Sequence, residues 1–312
     1  MSPAASADGK RDIRVVVAGA FAADCVVNTP VLPGWGEDHE VPSIHTTPGG
    51  KALNQAVALA RLGAQVTAVG AVGDDALGRE TLALLTAEGV DTSGIQVREN
   101  TATPVCICFV GDDGKASYVS HTPPDIAVTA ATIREAEPAI RRADAVLTTL
   151  EPLPEAVAEA IHLGRGAGAH VVVQPAPIKH AHADVVGLPW FKADLVVPNE
   201  KEARFLLEDC EAVPDDPAGL ATAFSERMNG PKVVVTLGKS GCITVNDGAP
   251  THYAAHEPPE VVDTTGASDA FTAALTFELT ADAEEPAAIQ AALASASSAV
   301  TNPGGHTETY FP

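Results

Sequence analysis

A turn of small residues, Asp263-Thr-Thr-Gly-Ala-Ser-Asp269, opens a helix that we predict over about residues 266–279. The first N–H groups of a helix have no partner within the helix, and they point outward at the positive end of its dipole. Small side chains let a phosphate come close to these N–H groups. Asp269 falls in the first turn, where a carboxylate beside a phosphate is costly unless it acts as a base for an attacking hydroxyl. The alternative is an ordinary helix start at which Asp269 only favours the dipole.

Two further segments carry side chains suited to the same chemistry. Gly49-Gly50-Lys51-Ala-Leu-Asn54 opens a helix, with a lysine and an asparagine near its first turn that suit a hydroxyl or a phosphate. Asn199 and Glu202 follow a predicted strand at i and i+3, so they share one helix face. That pair could hold Mg²⁺ through water and a phosphate. By itself, such a pair is more often a capping box at the protein surface.

Two common nucleotide-binding motifs are only partly matched. Gly238-Lys239-Ser240 has the end of a P-loop, but the first glycine of that motif would fall at Val233. The segment after the first predicted strand, Gly19-Ala-Phe-Ala-Ala-Asp24, has one glycine where a dinucleotide fingerprint needs three. A P-loop enzyme and an NAD-dependent oxidoreductase are therefore disfavoured.

The charge balance excludes other classes of protein. The 41 acidic residues outnumber the 19 Lys and Arg residues, which gives a net charge of −22. Such a surface repels nucleic acids and anionic membranes, and no apolar stretch approaches the roughly 20 residues that span a bilayer. The chain starts without the apolar region of a signal peptide, and its five cysteines form no Cys-x-x-Cys pair. We therefore expect a cytoplasmic protein.

Apolar runs typical of strands alternate with amphipathic stretches along the whole chain. The predicted strands are residues 13–18, 66–69, 145–147, 171–173, 195–197 and 232–237. Besides residues 266–279, the predicted helices are 52–62, 77–88, 130–142, 154–166, 199–208, 217–228 and 287–299. This alternation indicates a parallel sheet covered on both faces. We predict an α/β fold, a doubly wound, mostly parallel sheet sandwiched by helices, over residues 14–312, after a disordered leader at residues 1–13.

Two segments lack this alternation and are predicted to form a small β-sheet lid. The first, at about residues 25–48, carries four prolines and no helical period. In the second, at about residues 103–125, two alternating runs flank Gly111-Asp-Asp-Gly114, which is a hairpin signal. Both follow the carboxyl ends of strands, where open α/β sheets bind ligands. Because an unpaired sheet edge invites a partner strand, the lid could join two copies of the chain into a homodimer.

In combination, these motifs resemble the PfkB-type carbohydrate kinase family, and ribokinases within it, from about Val15 to about Gly305. The matched motifs, in chain order, are Gly49-Gly50-Lys51 with Asn54, the pair Asn199 and Glu202, the loop Thr236-Leu-Gly-Lys-Ser-Gly241, and Asp263-Thr-Thr-Gly-Ala-x-Asp269-Ala-Phe. Each motif alone is moderate support. All four in the family's order make the resemblance specific.

The resemblance implies a ribokinase-like fold and an ATP-dependent kinase that phosphorylates a hydroxymethyl group of a small sugar or nucleoside. It implies that Asp269 is the catalytic base. The backbone N–H groups implied to form the anion hole are those of Gly266, Ala267, Ser268 and Asp269. The residues at substrate-contacting positions are Asp24, Gly50, Lys51, Asn54, Glu151 and Asp269. The residues at ATP-contacting positions are Asn199, Thr236, Gly238, Lys239 and Gly241.

The resemblance also implies two cation sites. Glu202 would organise Mg²⁺ through water. Asp263 and Thr265 match the monovalent-cation site that supports the anion hole in ribokinases, and Asn302 stands nearby where ribokinases tend to carry arginine. The identity of that residue leaves activation by K⁺ open.

Several residues depart from the ribokinase pattern. Ser268 stands where the family almost always has glycine, so its side chain either crowds the phosphate or adds a hydrogen-bond donor. Ala22 replaces a substrate-binding asparagine, and Thr122-Pro-Pro-Asp125 replaces a Gly-Ala-Asn-like segment. The substrate is therefore left as a sugar or nucleoside with a primary alcohol. A nucleoside kinase, a fructose-type kinase and a non-catalytic sugar-binding protein with the same fold are the alternatives.

Overall fold

The computed structural model of the protein describes residues 12–111 and 116–301. Most of the expected leader, residues 1–11, lies outside this range, as do Asn302 and the tip of the hairpin at residues 112–115. In chain order, the strands are β1 (Arg14–Ala18), β2 (Ala22–Asn28), β3 (Ser43–Gly49), β4 (Gln65–Gly73), β5 (Asp91–Arg98), β6 (Val105–Val110), β7 (Ala116–His121), β8 (Ala145–Thr149), β9 (His170–Gln174), β10 (Leu195–Val196), β11 (Lys232–Thr236), β12 (Cys242–Asn246) and β13 (Ala249–Tyr253).

One large sheet forms the centre of the molecule, in the strand order β13-β12-β11-β10-β9-β8-β1-β4-β5. Its strands pair in parallel from β11 through to β5. The pairs β11–β12 and β12–β13 are antiparallel, so a hairpin closes one edge. The mostly parallel sheet expected from the sequence is therefore confirmed. The edge strands β5 and β13, and β12 beside β13, were not expected. Strands β5 and β13 consist mostly of polar and turn residues, and in β12 apolar residues alternate with Thr244 and Asn246.

Helices cover both faces of this sheet. They are α1 (Lys51–Arg61), α2 (Ala76–Ala87), α3 (Ala130–Glu135), α4 (Glu137–Ile140), α5 (Pro154–Ala167), α6 (His182–Val186), α7 (Glu200–Leu206), α8 (Pro217–Met228), α9 (Ala267–Thr280) and α10 (Glu285–Ala299). Successive side chains of a strand point to opposite faces of the sheet. Val172 therefore belongs to the hydrophobic cluster of Leu53 (α1) and Phe271 (α9), whereas Val171 and Val173 belong to a separate cluster on the opposite face. The sandwich of helices around the sheet is confirmed.

One predicted helix is interrupted. Residues 130–142 form two short helices, α3 and α4, that meet at Ala136. Pro138 lies at the start of α4 and has no N–H to continue the hydrogen bonding of α3, so the first helix ends before it. The sequence interpretation of this segment as one helix was wrong, although its apolar face is buried as expected at Ile133 and Ile140.

A second, smaller sheet has the strand order β3-β2-β6-β7. It is built from the two segments that lacked the strand–helix alternation, and it begins at Ala22 rather than at residue 25. Strands β2 and β6 pair in parallel, and each edge strand pairs antiparallel with its neighbour. We call this sheet the lid sheet. Its inner face is the one that carries Asp24, Cys106 and Ser120, which lie in register across the sheet.

The chain winds outward from β1 in both directions, and this defines the crevice where ligands are expected. Strand β1 pairs with β4 on one side and with β8 on the other. In doubly wound sheets, the carboxyl ends of two such strands form the ligand crevice. Within the described residues, no helix is both long and apolar enough to cross a membrane.

Candidate active site

Glu151 bridges the crevice between β1 and β8. It follows β8, and its carboxylate accepts hydrogen bonds from the backbone N–H of Ala20, which follows β1, and of Lys51, the first residue of α1. Both N···O distances are 3.2 Å, and the Thr149 hydroxyl donates to the same carboxylate. Burial raises the pKa of Glu151, and the charge of Lys51 opposes that rise. Glu151 therefore joins three segments at the place where the fold predicts a ligand.

The pair Gly49-Gly50 lets the chain turn tightly beside Asp24. A Cβ on Gly49 would lie 2.1 Å from Oδ2 of Asp24, so a side chain there is incompatible with this carboxylate. Gly50 has φ of +96°, and a Cβ on it would lie 2.6 Å from the backbone oxygen of Ala20. Only glycine fits this position, because the left-handed backbone and the close approach both exclude a side chain. The turn delivers Lys51 and Asn54 to the crevice.

Asp269 lies at the centre of the site and is held by two side chains of α1. Lys51 Nζ lies 3.2 Å from Asp269 Oδ1, and Asn54 Nδ2 donates to Asp269 Oδ2 at 2.9 Å. Asp269 has only 3% of its side chain exposed, whereas Lys51 has 25% exposed. The Asn54 amide oxygen is buried, with no hydrogen-bond partner in the part of the chain that the structure describes.

The charges of this cluster shift the protonation of its members. Burial opposes the charge on Lys51, but attraction to Asp269, Glu202 and Glu151 outweighs it and holds the lysine pKa above its usual value. Burial, assisted by repulsion from Asp269, raises the pKa of Asp24 to about 6. The backbone N–H of Gly50 and the Lys51 ammonium limit that rise. The site thus keeps a permanent positive charge beside closely spaced carboxylates.

The first turn of α9 presents backbone N–H groups toward the same place. Its N-cap, Gly266, has φ of 77° in the left-handed region, and within the described residues no side chain caps this end. The turn before it is closed by the N–H of Thr265, which donates to Asp263 Oδ1 at 2.8 Å. The four predicted anion-hole residues, Gly266 to Asp269, therefore form one continuous helix start. Asp263 and Thr265 lie directly before it.

A cleft of about 360 Å³ opens beside this helix start. The sequence-predicted residues that line it are Asn199, Thr236, Gly238, Lys239, Gly241, Ala267 and Ser268. Asn199 forms an isolated bridge with Thr236, so the ends of β10 and β11 meet there. All five residues at ATP-contacting positions of the resemblance are thus brought together in one cleft.

Asn199 and Glu202 form a reciprocal capping box at the start of α7. The Glu202 N–H donates to Asn199 Oδ1 at 2.9 Å, and the backbone and side-chain nitrogens of Asn199 each donate to the Glu202 carboxylate at 2.8 Å. Unlike an ordinary surface capping box, this one holds a buried carboxylate, with Glu202 only 7% exposed. Burial raises the pKa of Glu202 to about 7, against the opposing hydrogen bonds from Asn199.

The structure adds residues that the motifs did not reveal. On the inner face of the lid sheet, Cys106 lies beside Asp24 and Ser120 lies beside Cys106. The Ser120 hydroxyl donates to the Cys106 thiol at 3.3 Å. Burial raises the pKa of Cys106. Only the register of β6 with β2 brings Cys106 next to Asp24, so no local sequence pattern could have indicated this contact. Gln174, at the end of β9, contacts Ser268 and had no sequence signal.

Comparison with known proteins agrees with this arrangement. The model of the pfkB family carbohydrate kinases matches residues 12–309 of this chain. A ribokinase of Bacillus subtilis is 33% identical over 93% of this chain and 94% of that protein. A ribokinase of Mus musculus is 31% identical over 85% of this chain and 81% of its own length.

The likeness extends to solved structures. The structure of an Arabidopsis thaliana ribokinase complexed with ribose and ATP superposes with a TM-score of 0.81, at 24% identity and over 95% of both chains. At that identity the likeness shows the ribokinase-like fold. The family match over nearly the whole chain, together with the ribokinase relatives, shows that the chain belongs to the pfkB family of carbohydrate kinases, phosphotransferases with an alcohol group as acceptor.

Proposed function

We propose that this protein transfers the γ-phosphate of ATP, bound with Mg²⁺, to the hydroxymethyl group of a small sugar. One observation carries the proposal. Lys51 and Asn54 hold Asp269 on the side where the sugar would bind. On its other side Asp269 directly follows Ala267 and Ser268, which line the cleft of about 360 Å³. A carboxylate at this junction is suited to take a proton from a hydroxyl while the neighbouring N–H groups hold the phosphoryl group.

In this proposal Asp269 is the general base. The acceptor hydroxyl gives its proton to an Asp269 oxygen as its own oxygen bonds to the γ-phosphorus and ADP leaves with the electrons of the broken P–O bond. Phosphoryl transfer mainly requires positioning and stabilisation of negative charge. The N–H groups of Gly266 to Asp269 and the Lys51 ammonium would provide that stabilisation.

The acceptor would lie between the lid sheet and α1. Asp24, Glu151, Asn54 and the backbone at Gly50 would bind its hydroxyl groups. The buried oxygen of Asn54 supports this, since it has no partner among the described residues and is ready to accept from a hydroxyl. At the same place, the Asp24 carboxylate can accept a hydrogen bond from the sugar and the Lys51 ammonium can donate one to it. A pentose or hexose is favoured over a nucleoside, because relatives that are 31% and 33% identical to this chain are ribokinases.

The nucleotide would occupy the cleft lined by Asn199, Thr236, Gly238, Lys239 and Gly241. Carboxylate oxygens are the ligands that Mg²⁺ prefers, and each Glu202 oxygen keeps a lone pair beyond its bond to Asn199. Glu202 therefore fits a role in holding Mg²⁺ through water, and the ion would neutralise charge on the phosphates. Asp263 and Thr265 are proposed to hold a monovalent cation, and their position directly before the anion hole supports this.

The proposal includes a cytoplasmic homodimer joined through the lid sheets. The outer face of the lid sheet is largely apolar. Ile44 and Val119 on this face are each 60% exposed, and Val27, Ile107 and Phe109 lie between them in register. A second copy of the same face would cover these side chains. The five cysteines are free thiols, which fits a reducing compartment.

The experiment for this proposal is ADP release by the purified protein with ATP and Mg²⁺, across a panel of pentoses, hexoses and nucleosides, with and without K⁺. Turnover that depends on one sugar, together with recovery of its phosphate ester, is the expected result. Saturable sugar binding without ADP release on any compound would instead support the non-catalytic sugar-binding alternative. Turnover on a nucleoside alone would replace the sugar in the proposal.

A further inference from the structure

A chain of buried amides connects α1 to the first turn of α9. Gln55, on α1, is fully buried, and Gln174, at the end of β9, is 2% exposed. The Gln55 side-chain nitrogen donates to the Gln174 side-chain oxygen. The Gln174 side-chain nitrogen in turn donates to the Ser268 hydroxyl oxygen, with an N···O distance of 3.2 Å. We call this set of three residues the amide relay.

The amide relay fixes the direction of the Ser268 hydroxyl. Because Gln55 occupies the oxygen of the Gln174 amide, the nitrogen end of that amide is turned toward Ser268. The Ser268 oxygen therefore accepts on the side of Gln174, and its own hydrogen must point elsewhere. Ser268 lines the cleft beside α9, so the cleft is the open side. The backbone is also held, since the Thr272 hydroxyl donates to the Ser268 carbonyl at 2.8 Å.

We propose that Gln174, oriented by Gln55, holds Ser268 so that its hydroxyl donates a hydrogen bond to the transferred phosphoryl group. Ser268 would then add a side-chain donor to the backbone N–H groups of Gly266 to Asp269, and Gln174 is a positioning residue. This inference rests on the proposed kinase function. It gives a role to two amides that are buried next to the site, where the Gln174 amide bonds at both ends and the Gln55 oxygen has no hydrogen-bond partner among the described residues.

The competing interpretation is that Ser268 only crowds the phosphate, and that Gln174 merely satisfies its hydroxyl. The two interpretations predict opposite results for the removal of the side chain. If the Ser268 hydroxyl donates to the phosphoryl group, both Ser268→Ala and Ser268→Gly lose that donor, so both variants become slower. If the side chain only crowds the phosphate, Ser268→Ala retains the rate and Ser268→Gly becomes faster than the original enzyme.

The test is steady-state kinetics of the full chain with the sugar found in the panel. Ser268→Ala is expected to lower kcat by roughly 10- to 100-fold, with KM for ATP and for the sugar nearly unchanged, because a donor to the transition state is removed. Ser268→Thr keeps a hydroxyl and should retain more of kcat than Ser268→Ala. A kcat of Ser268→Ala within about twofold of the original enzyme would overturn the proposal.

Gln174→Leu tests the relay itself. It should lower kcat, and in the double variant with Ser268→Ala it should cause little further loss, because both changes remove the same hydrogen bond to the phosphoryl group. Losses that multiply would contradict the role of Gln174. Thr280→Val is the matched control, because it removes a buried hydroxyl near the other end of α9. That variant should lower the unfolding temperature without changing kcat.

The failure of this inference is distinguishable from the failure of the proposed function. If the unmodified chain turns over no sugar, the kinase function fails. If it turns over a sugar and Ser268→Ala does so equally well, only the role of the amide relay fails. Should Gln174→Leu not fold, the comparison of Ser268→Ala with Ser268→Thr still decides the outcome, since Ser268 is only half-buried.

Discussion

Lys51 and Asp269, which are 218 residues apart in the chain, meet with 3.2 Å between Nζ and Oδ1. Lys51 is the first residue of α1, and Asp269 lies in the first turn of α9. The two helices pack against each other, so their amino-terminal ends face the same space. A carboxylate and a cation are thereby fixed between two positive helix ends, which is an arrangement suited to a developing phosphate charge.

The turn at Gly50 is expected to be essential for this arrangement. Gly50→Ala should lower the free energy of unfolding and abolish most turnover, because the new Cβ would lie 2.6 Å from the Ala20 oxygen. Gly63→Ala is the matched control, since Gly63 has φ of +95° but a Cβ added to it would meet no atom within 4 Å. Urea unfolding of both variants separates the effect of the close approach to Ala20 from the effect of the left-handed backbone.

Both variants share the backbone strain of a left-handed residue, about 1–3 kcal/mol. We expect Gly50→Ala to lose clearly more stability than Gly63→Ala and, unlike it, to lose activity. Equal losses in the two variants would mean that the close approach to Ala20 is unimportant.

Stability should depend on pH through Glu202. Its pKa is about 7 in the folded protein, against 4.5 for the unperturbed group. The folded state therefore binds the proton more tightly, so its stability falls as the pH rises from about 4.5 to about 7. The contribution of this one group is about 3 kcal/mol at most, taken from the size of the shift.

The measurement is the free energy of unfolding at several pH values, without nucleotide or Mg²⁺, for the original chain and for Glu202→Gln. The variant loses one hydrogen bond of the capping box, so it is less stable at low pH. Its stability should fall less steeply between about pH 4.5 and about pH 7, since it has no proton to release at residue 202. Parallel curves for the two proteins would contradict the raised pKa of Glu202 in the folded state.

The lid sheet should be the dimer interface. Replacing Ile44 and Val119 together with Asp introduces charge into the exposed apolar face, and we expect a dimer to become a monomer in light scattering after size-exclusion chromatography. Val97→Asp is the matched control, because Val97 is 51% exposed on the edge strand β5, outside the lid sheet. A monomeric original chain, or an unchanged dimer in the double variant, would contradict this interface.

Much of the site could be predicted from the sequence because its residues belong to local motifs. A motif such as Gly49-Gly50-Lys51 specifies its own turn and the helix that follows, so the position of Lys51 follows from local backbone geometry. The same holds for Asn199 and Glu202, whose capping box is complete within four consecutive residues. The order of these motifs along alternating strands and helices then determines that they meet at the carboxyl edge of the sheet.

The residues that could not be predicted act through contacts distant in sequence. Gln174 contacts Gln55 and Ser268, which are 119 and 94 residues away, and nothing in its local sequence indicates either contact. Cys106 and Ser120 become part of the site only through the strand register of the lid sheet. Pro138, which separates α3 from α4, is visible in the local sequence. The prediction missed this break because it gave more weight to the apolar pattern of residues 130–142.

The central claim is that Asp269 removes the proton from the sugar hydroxyl. Asp269→Asn should fold and bind ATP, because the buried Asn54 oxygen has no partner among the described residues and can accept from the new amide after Asn54 rotates. The direct measurement is transfer of label from the γ-phosphate of ATP to the sugar by the original chain and by Asp269→Asn. Asp247→Asn, at an exposed turn, is the control for the same chemical change.

We predict label on the sugar phosphate ester with the original chain and with Asp247→Asn, and a rate roughly 100- to 10,000-fold lower with Asp269→Asn. Transfer by Asp269→Asn within about tenfold of the original rate would contradict the assignment of Asp269 as the base.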